Sequence, residues 1–225
     1  MACSVPAAAQ ERIIGLLSLP EVFGGGSCTP FDPRPVALHA GPNDGANVAT
    51  IEVDQNWSFA PHGGCEGLEV SVHKGPDKSD LPTREFDYEM PAAIVLDQHE
   101  GWFKIRVHQG SAWLKASVVD RFMPLSDLFE EFTGVTEINE SFSGRLSPSP
   151  GVTNGPIMMR VAPKQAVRVV EIRESGGRPW VHVEVLSNSA CTAANDGPPQ
   201  VISQGWLPLH DQKGEPTVWF SSRGC

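Results

Sequence analysis

The chain has 225 residues, 40% hydrophobic and 20% charged, which suits a folded protein of one large domain or two small ones. A formal net charge of -10 and the lack of any Lys/Arg-rich run exclude general nucleic-acid or polyanion binding, which needs a basic patch to displace counterions. With 22 Gly and 20 Pro, turns should outnumber long helices, and no stretch nears the roughly 18 consecutive apolar residues of a membrane span.

The first residues lack the basic start and clean apolar stretch of a secretory signal, so a signal peptide is expected to be absent from this chain. Ala2-Cys3 has the form of a lipoprotein cleavage site without the apolar segment that should precede it. Residues 7–19 read as a short amphipathic helix ended by Pro20. The string GGGSCTPFDPRP then reads as a loop, its glycines a flexible link rather than a nucleotide site.

From Val36 the pattern changes to short runs broken by turn residues. VALHAGPNDGANVATIEV alternates, turns over residues 42–45, and resumes as a strand through Val53. PAAIVLDQHEGWFKIRV predicts two strands joined at DQHEG, and SAWLKASVV predicts a third. In PLSDLFEEFTG (124–134), Leu125, Leu128, Phe129 and Phe132 fall at helical spacing. Ser126 is placed to cap this connecting helix and Gly134 to stop it.

A second β-rich block repeats the scheme. QAVRVVEIRESGGRPWVHVEVL predicts a strand, an ESGG turn and a second strand, and QGWLPL follows after an insertion. Residues 102–107 correspond to 180–185, and 110–114 loosely to 205–207. This is a repeat of two similar domains rather than a solenoid. Strand alternation puts Phe103, Ile105 and Val107 on one face, and Val181, Val183 and Val185 on its counterpart. These should be core, at roughly 1.5–3 kcal/mol per buried side chain before entropy. The terminal run Val218-Trp219-Phe220 predicts a final strand docked on the second block.

Five cysteines occur at wide spacing with no C-x-x-C, which disfavours a zinc site or a thioredoxin-like motif. Cys28 with Cys65 and Cys191 with Cys225 are the expected disulfides, leaving Cys3 free. That pairing points to a periplasmic or secreted protein, whereas five free thiols would mark a cytoplasmic one.

Together, LHAGP, AAIVLDQHEGWFKIRV and QGSAWLKAS in the first block, and MRVAP, AVRVVEIRESGGRPWVHVEV and QGWLPL in the second, resemble the bacterial SH3-like (SH3b) family. The resemblance covers about residues 34–124 and 144–210. It implies a mainly β protein of two tandem small SH3-like β-barrels, with a short N-terminal helix and a connecting helix. The divisions are then 1–33, an N-terminal helix and loop; 34–124, the first barrel; 125–143, a connecting helix and linker; and 144–225, the second barrel with a C-terminal extension. The first barrel departs from the family by a long insertion, 55–85, in which Leu68, Val70 and Val72 alternate as an extra strand. His39 also stands where the family's opening motif has Arg.

The outward residues are the candidate ligand contacts: Trp102, Lys104, Arg106 and Trp113 in the first block, and Trp180, His182 and Trp206 in the second, with Glu184 beside His182. Trp57, Phe59 or Tyr88 would flank the first set. Aromatic rings offer large contact area at low entropic cost and suit peptide or glycan recognition. The alternative is that these tryptophans only close the barrel ends. A Cys-dependent cell-wall hydrolase needs an activated thiolate beside an oriented His. Cys65 near His62 and His73 sits in a Gly-rich loop, which fits a disulfide better. His99 and His108 are read as turn residues rather than metal ligands. No catalytic motif and no cofactor motif appears. The expectation is a non-catalytic binding module of the cell envelope that takes a peptide, peptidoglycan or an envelope protein. The alternative is an assembly subunit that packs on a larger partner.

Overall fold

A computed structural model describes residues 11–23, 33–53, 58–59, 65–66, 69–87, 90–131, 136–152, 159–189 and 197–220. The first half contains β1 (Gly15–Ser18), α1 (Pro20–Phe23), β2 (Val36–His39), β3 (Asn47–Val53), β4 (Ser58–Phe59), β5 (Cys65–Glu66), β6 (Val70–Lys74), β7 (Asp77–Asp80) and β8 (Thr83–Asp87). It continues with β9 (Met90–His99), β10 (Trp102–Val107), β11 (Gly110–Lys115), β12 (Arg121–Pro124) and α2 (Leu125–Glu131). The second half contains β13 (Thr136–Ile138), β14 (Gly144–Arg145), β15 (Arg160–Val161), β16 (Ala166–Ser175), β17 (Arg178–Leu186), β18 (Val201–Pro208) and β19 (Val218–Phe220). The protein is mainly β, and neither helix exceeds two turns. Among the described residues, no helix is long and apolar enough to cross a membrane.

The expected hairpins form. β9 and β10 turn at Glu100-Gly101, and β16 and β17 at Gly176-Gly177, with all four residues at positive φ. Two-residue turns of that hand match the right-handed twist of the flanking strands. Phe103 and Ile105 are buried, and Val107 packs half-buried against the same core. Val181, Val183 and Val185 are fully buried. The inserted Val70 and Val72 lie on β6, paired with Val53 and Ile51 of β3. Leu68 lies outside the described residues. The terminal run is β19, paired with β13. α2 covers part of the helix expected over 124–134, and Phe132 and Gly134 lie outside the described residues; Ser126 lies inside its first turn and donates to the Asp127 carboxylate at 2.9 Å.

Two expectations are corrected. Within the N-terminal amphipathic helix expected over 7–19, Gly15–Ser18 are instead strand β1, followed by a single helical turn that Pro20 begins rather than ends, and residues 7–10 lie outside the described residues. The physical reason is two-sided burial. Leu16 packs into one hydrophobic cluster and Leu17 into another, and both are fully buried. A strand buried on both faces reads as a continuous apolar run, which periodicity cannot tell from a buried helix. Pro at the first helical position loses no hydrogen bond there, and Leu19 accepts the N–H groups of Val22 and Phe23.

The closed barrels are the second correction. Ten strands form one open sheet in the order β12-β1-β9-β10-β11-β2-β3-β6-β7, with β8 also on β9. Five form another, β18-β17-β16-β13-β19. The first sheet stays open because β2, β3, β6 and β7 extend outward from β11 instead of returning to β12. In the second, one bridge, Ser147 with Trp206, meets the edge strand β18.

The two sheets share an order of pairing. β12-β1-β9-β10-β11 matches β19-β13-β16-β17-β18, with the last strand on the first and then a three-strand meander. The register repeats too: Lys104 faces Trp113, and His182 faces Trp206. Each of these tryptophans is also met by an earlier segment, Trp113 by His39 and Trp206 by Ser147. β1 and β9 are buried on both faces. Leu17, Ala93 and Val95 join the core of the first sheet. Leu16, Ala92, Ile94 and Leu96 join Val181, Val183 and Leu207 of the second sheet in one continuous cluster.

Candidate functional site

Strand alternation sends Lys104 and Arg106 of β10 away from Phe103 and Ile105. Both cations meet carboxylates from distant segments. Lys104 Nζ lies 2.5 Å from Glu11 Oε1, which also accepts the Ser111 hydroxyl at 2.9 Å. The Lys104 bond holds the Glu11 carboxyl below the usual carboxylate range. Arg106 Nη1 lies 2.6 Å from Glu215, and Arg84 of β8 donates to the same carboxylate at 2.8 Å. The Arg84 guanidinium also stacks over Trp219, 4.3 Å from the ring centre. These groups tie the first sheet to the turn before β19.

The tryptophans follow suit. Trp102 donates its indole N–H to Asn43 Oδ1 at 3.1 Å, meets the edge of His39 at 5.2 Å and lies under Lys115. Trp113 is half-buried across from Lys104. Trp180 is 5% exposed, and its Nε1 finds no partner among the described residues. Trp206 is 6% exposed, with His182 stacked on it at 4.9 Å and Arg173 at 5.3 Å. Glu184 pairs with Arg168 at 2.9 Å. The predicted residues thus fall into two clusters, one on each sheet, and neither forms an open aromatic cleft.

Cys3, Cys28, Cys191, Cys225, Trp57, His62 and Tyr88 lie outside the described residues, as do the side chains of Phe59 and Cys65. His73 bonds Ser71 at 2.9 Å beside Glu52. Among the described residues, no three His, Cys, Asp or Glu side chains are grouped to hold a metal.

Among the described residues, an open concave surface lies elsewhere. A groove of about 670 Å³ runs over the first sheet from the β10–β11 turn to the β6–β7 hairpin. Its floor is apolar: Leu38 of β2, Val72 of β6 and Ala112 of β11 are buried, and Val107 and Val48 line it beside them. Lys74, Asp77, Asp80 and His108 are exposed around it. β7 ends the sheet. An apolar concavity rimmed by a few polar groups is the usual form of a recognition site. The alternation of β2, β3 and β6 showed these strands, but only their pairing across β11 brings the five apolar residues together.

Searches against family models, curated proteins and solved structures find no match to the chain.

Proposed function

We propose that this chain is a non-catalytic binding protein of the bacterial cell envelope, and that it takes an extended peptide segment of an envelope protein in the groove over β11, β2, β3, β6 and β7. The groove carries the reading. Its floor offers apolar contact, and β7 offers an edge where an added strand would find backbone partners. The Asp77 and Lys78 charges on that edge oppose indiscriminate self-pairing, as charged edge strands do. The SH3-like arrangement and the envelope setting rest on the resemblance around 102–115 and its echo at 180–207. The repeated pairing order and register support that arrangement.

The test is selection of displayed peptides on the purified chain, with peptidoglycan sacculi in parallel. Peptides should be enriched, and Val48→Glu should weaken them at least tenfold while Val119→Glu does not. Val48 lines the groove at 38% exposure, and Val119 lies outside it at 53%. No enrichment, or equal loss in both variants, overturns the reading. Binding to sacculi alone would move the site away from the groove. The assembly-subunit reading draws on Val201 and Ile202, half-exposed on edge strand β18. It requires a partner that Val201→Asp releases.

A further inference from the structure

A second concavity, of about 610 Å³, lies beside the junction of the two sheets. Four separate segments line it: Arg12 before β1, residues 141–143 after β13, Arg178 and Pro179 at the start of β17, and Pro208 at the end of β18 with residues 210–213 after it. Its charge is unlike that of the rest of the chain. The protein carries -10 overall, yet three cations, Arg12, Arg178 and Lys213, line this cleft beside one carboxylate, Asp211.

That carboxylate is engaged by its own turn, where Oδ1 accepts the N–H groups of Lys213 at 2.7 Å and Glu215 at 3.0 Å. Among the described residues, none of the three cations has an ion pair or a side-chain hydrogen bond. Six other cations, Arg84, Lys104, Arg106, Lys164, Arg168 and Arg173, face carboxylates instead. Like charges gathered around one cavity repel one another and focus a positive potential into it, which an anion relieves.

His210 adds a directional group. Its Nε2 donates to the Ile13 carbonyl at 2.6 Å, so the neutral ring presents Nδ1 as an acceptor. Nδ1 is buried and has no hydrogen-bond partner among the described residues. Burial, reinforced by the Arg12 charge, lowers the His210 pKa and favours that neutral form. The Ser141 and Ser143 hydroxyls, the Gln212 amide and the Phe142, Pro179 and Pro208 faces complete the lining.

We propose that this cleft is a binding site for a phosphoryl group, free or carried on a small organic molecule. Two guanidiniums and an ammonium suit a doubly charged phosphoryl group, which guanidinium forks grip through paired hydrogen bonds. The cavity exceeds a phosphate ion in size, and its apolar faces leave room for an organic group. Because the lining joins the segment before β1 to the turns around β17 and β18, the bound ligand would also fasten the two sheets together. The site is separate from the peptide groove and does not depend on it.

Titration calorimetry at low ionic strength tests this, with phenyl phosphate and inorganic phosphate as probes. Saturable one-to-one binding is expected, with the midpoint of thermal unfolding raised by the same probe. Arg12→Gln and Arg178→Gln should each weaken binding at least tenfold. Lys213→Gln should weaken it less, and Arg168→Gln, on the outer face of β16, not at all. Tighter binding of phenyl phosphate assigns the site to an organic phosphate; equal binding assigns it to the free ion. No saturable heat from either probe overturns the proposal, as does an Arg12→Gln/Arg178→Gln double variant that binds like the native chain. All three cations are exposed, so their variants should fold normally.

Discussion

Arg106 on β10 of the first sheet holds Glu215, in the turn before β19 of the second sheet, at 2.6 Å, and the other oxygen of that carboxylate takes Arg84 at 2.8 Å. One anion therefore serves two cations, and all three side chains are less than a third exposed. Glu215→Gln should cost roughly 2 kcal/mol, below the full penalty for breaking a buried pair because some water remains. It should cost more than Arg106→Gln or Arg84→Gln alone, since it strands two guanidiniums rather than one charge. Urea unfolding of the three variants checks the order. A Glu215→Gln midpoint equal to the native one would mean that the apolar cluster alone holds the sheets.

Gly214 sits one residue away at φ 81°, where a Cβ would overlap the Glu11 carbonyl oxygen. Its own carbonyl accepts the Ile13 N–H at 3.1 Å. Gly214→Ala combines a left-handed backbone with a backbone collision, so at least about 2 kcal/mol should be lost. For a chain of this length that lowers the unfolding midpoint by roughly 4–8 °C. Trypsin should also cut after Arg12 faster than in the native protein, because the segment before β1 loses its seat.

The hairpins were legible because their signals are local. Alternation of 102–107 and 180–185, with turn residues between strands, sufficed to place Phe103, Ile105, Val181 and Val183 inside. The same alternation put Lys104 and Arg106 outside the hairpin's core but carried nothing about what covers them. Glu11 and Glu215 come from opposite ends of the sequence, and no pattern links them to β10. β1 was hidden by having core on both sides of it. Trp206 reads as an outward residue, yet His182, Arg173 and the Ser147 bridge close over it. The groove needed the pairing of β2 with β11, a contact between segments some seventy residues apart along the chain.

His210 gives stability a pH dependence of known sign. Desolvation lowers its folded-state pKa below the ordinary 6.5. Between the two values the unfolded chain binds a proton that the folded chain does not, so stability rises with pH across that window. It is fully present above about 6.5 and lost as pH falls toward the folded value, at up to about 1.4 kcal/mol per pH unit for one proton. Arg12 opposes the proton, and Asp211 and Glu215 favour it less strongly. Glu11, also lowered, acts in a separate window below the ordinary carboxylate value of 4.5. Urea midpoints from pH 5 to 8 should therefore slope in the native protein and flatten in His210→Gln, which keeps a donor for the Ile13 carbonyl.

Trp180 separates core from ligand contact. Its ring is buried, and its N–H has no acceptor among the described residues, so the native state already bears the cost of a desolvated donor, about 1–3 kcal/mol. Phe removes that donor and gives up some apolar contact, and the two effects oppose each other. Trp180→Phe should then change stability by less than about 1 kcal/mol. Trp180→Ala, which empties the site, should cost roughly 3–5 kcal/mol. The peptides selected on the native chain should bind Trp180→Phe within a factor of two, because the groove lies over β11, β2, β3, β6 and β7, and Trp180 is on β17 of the other sheet. A Trp180→Phe variant that keeps its stability but loses the peptides would put the indole against the ligand and move the recognition surface to the second sheet.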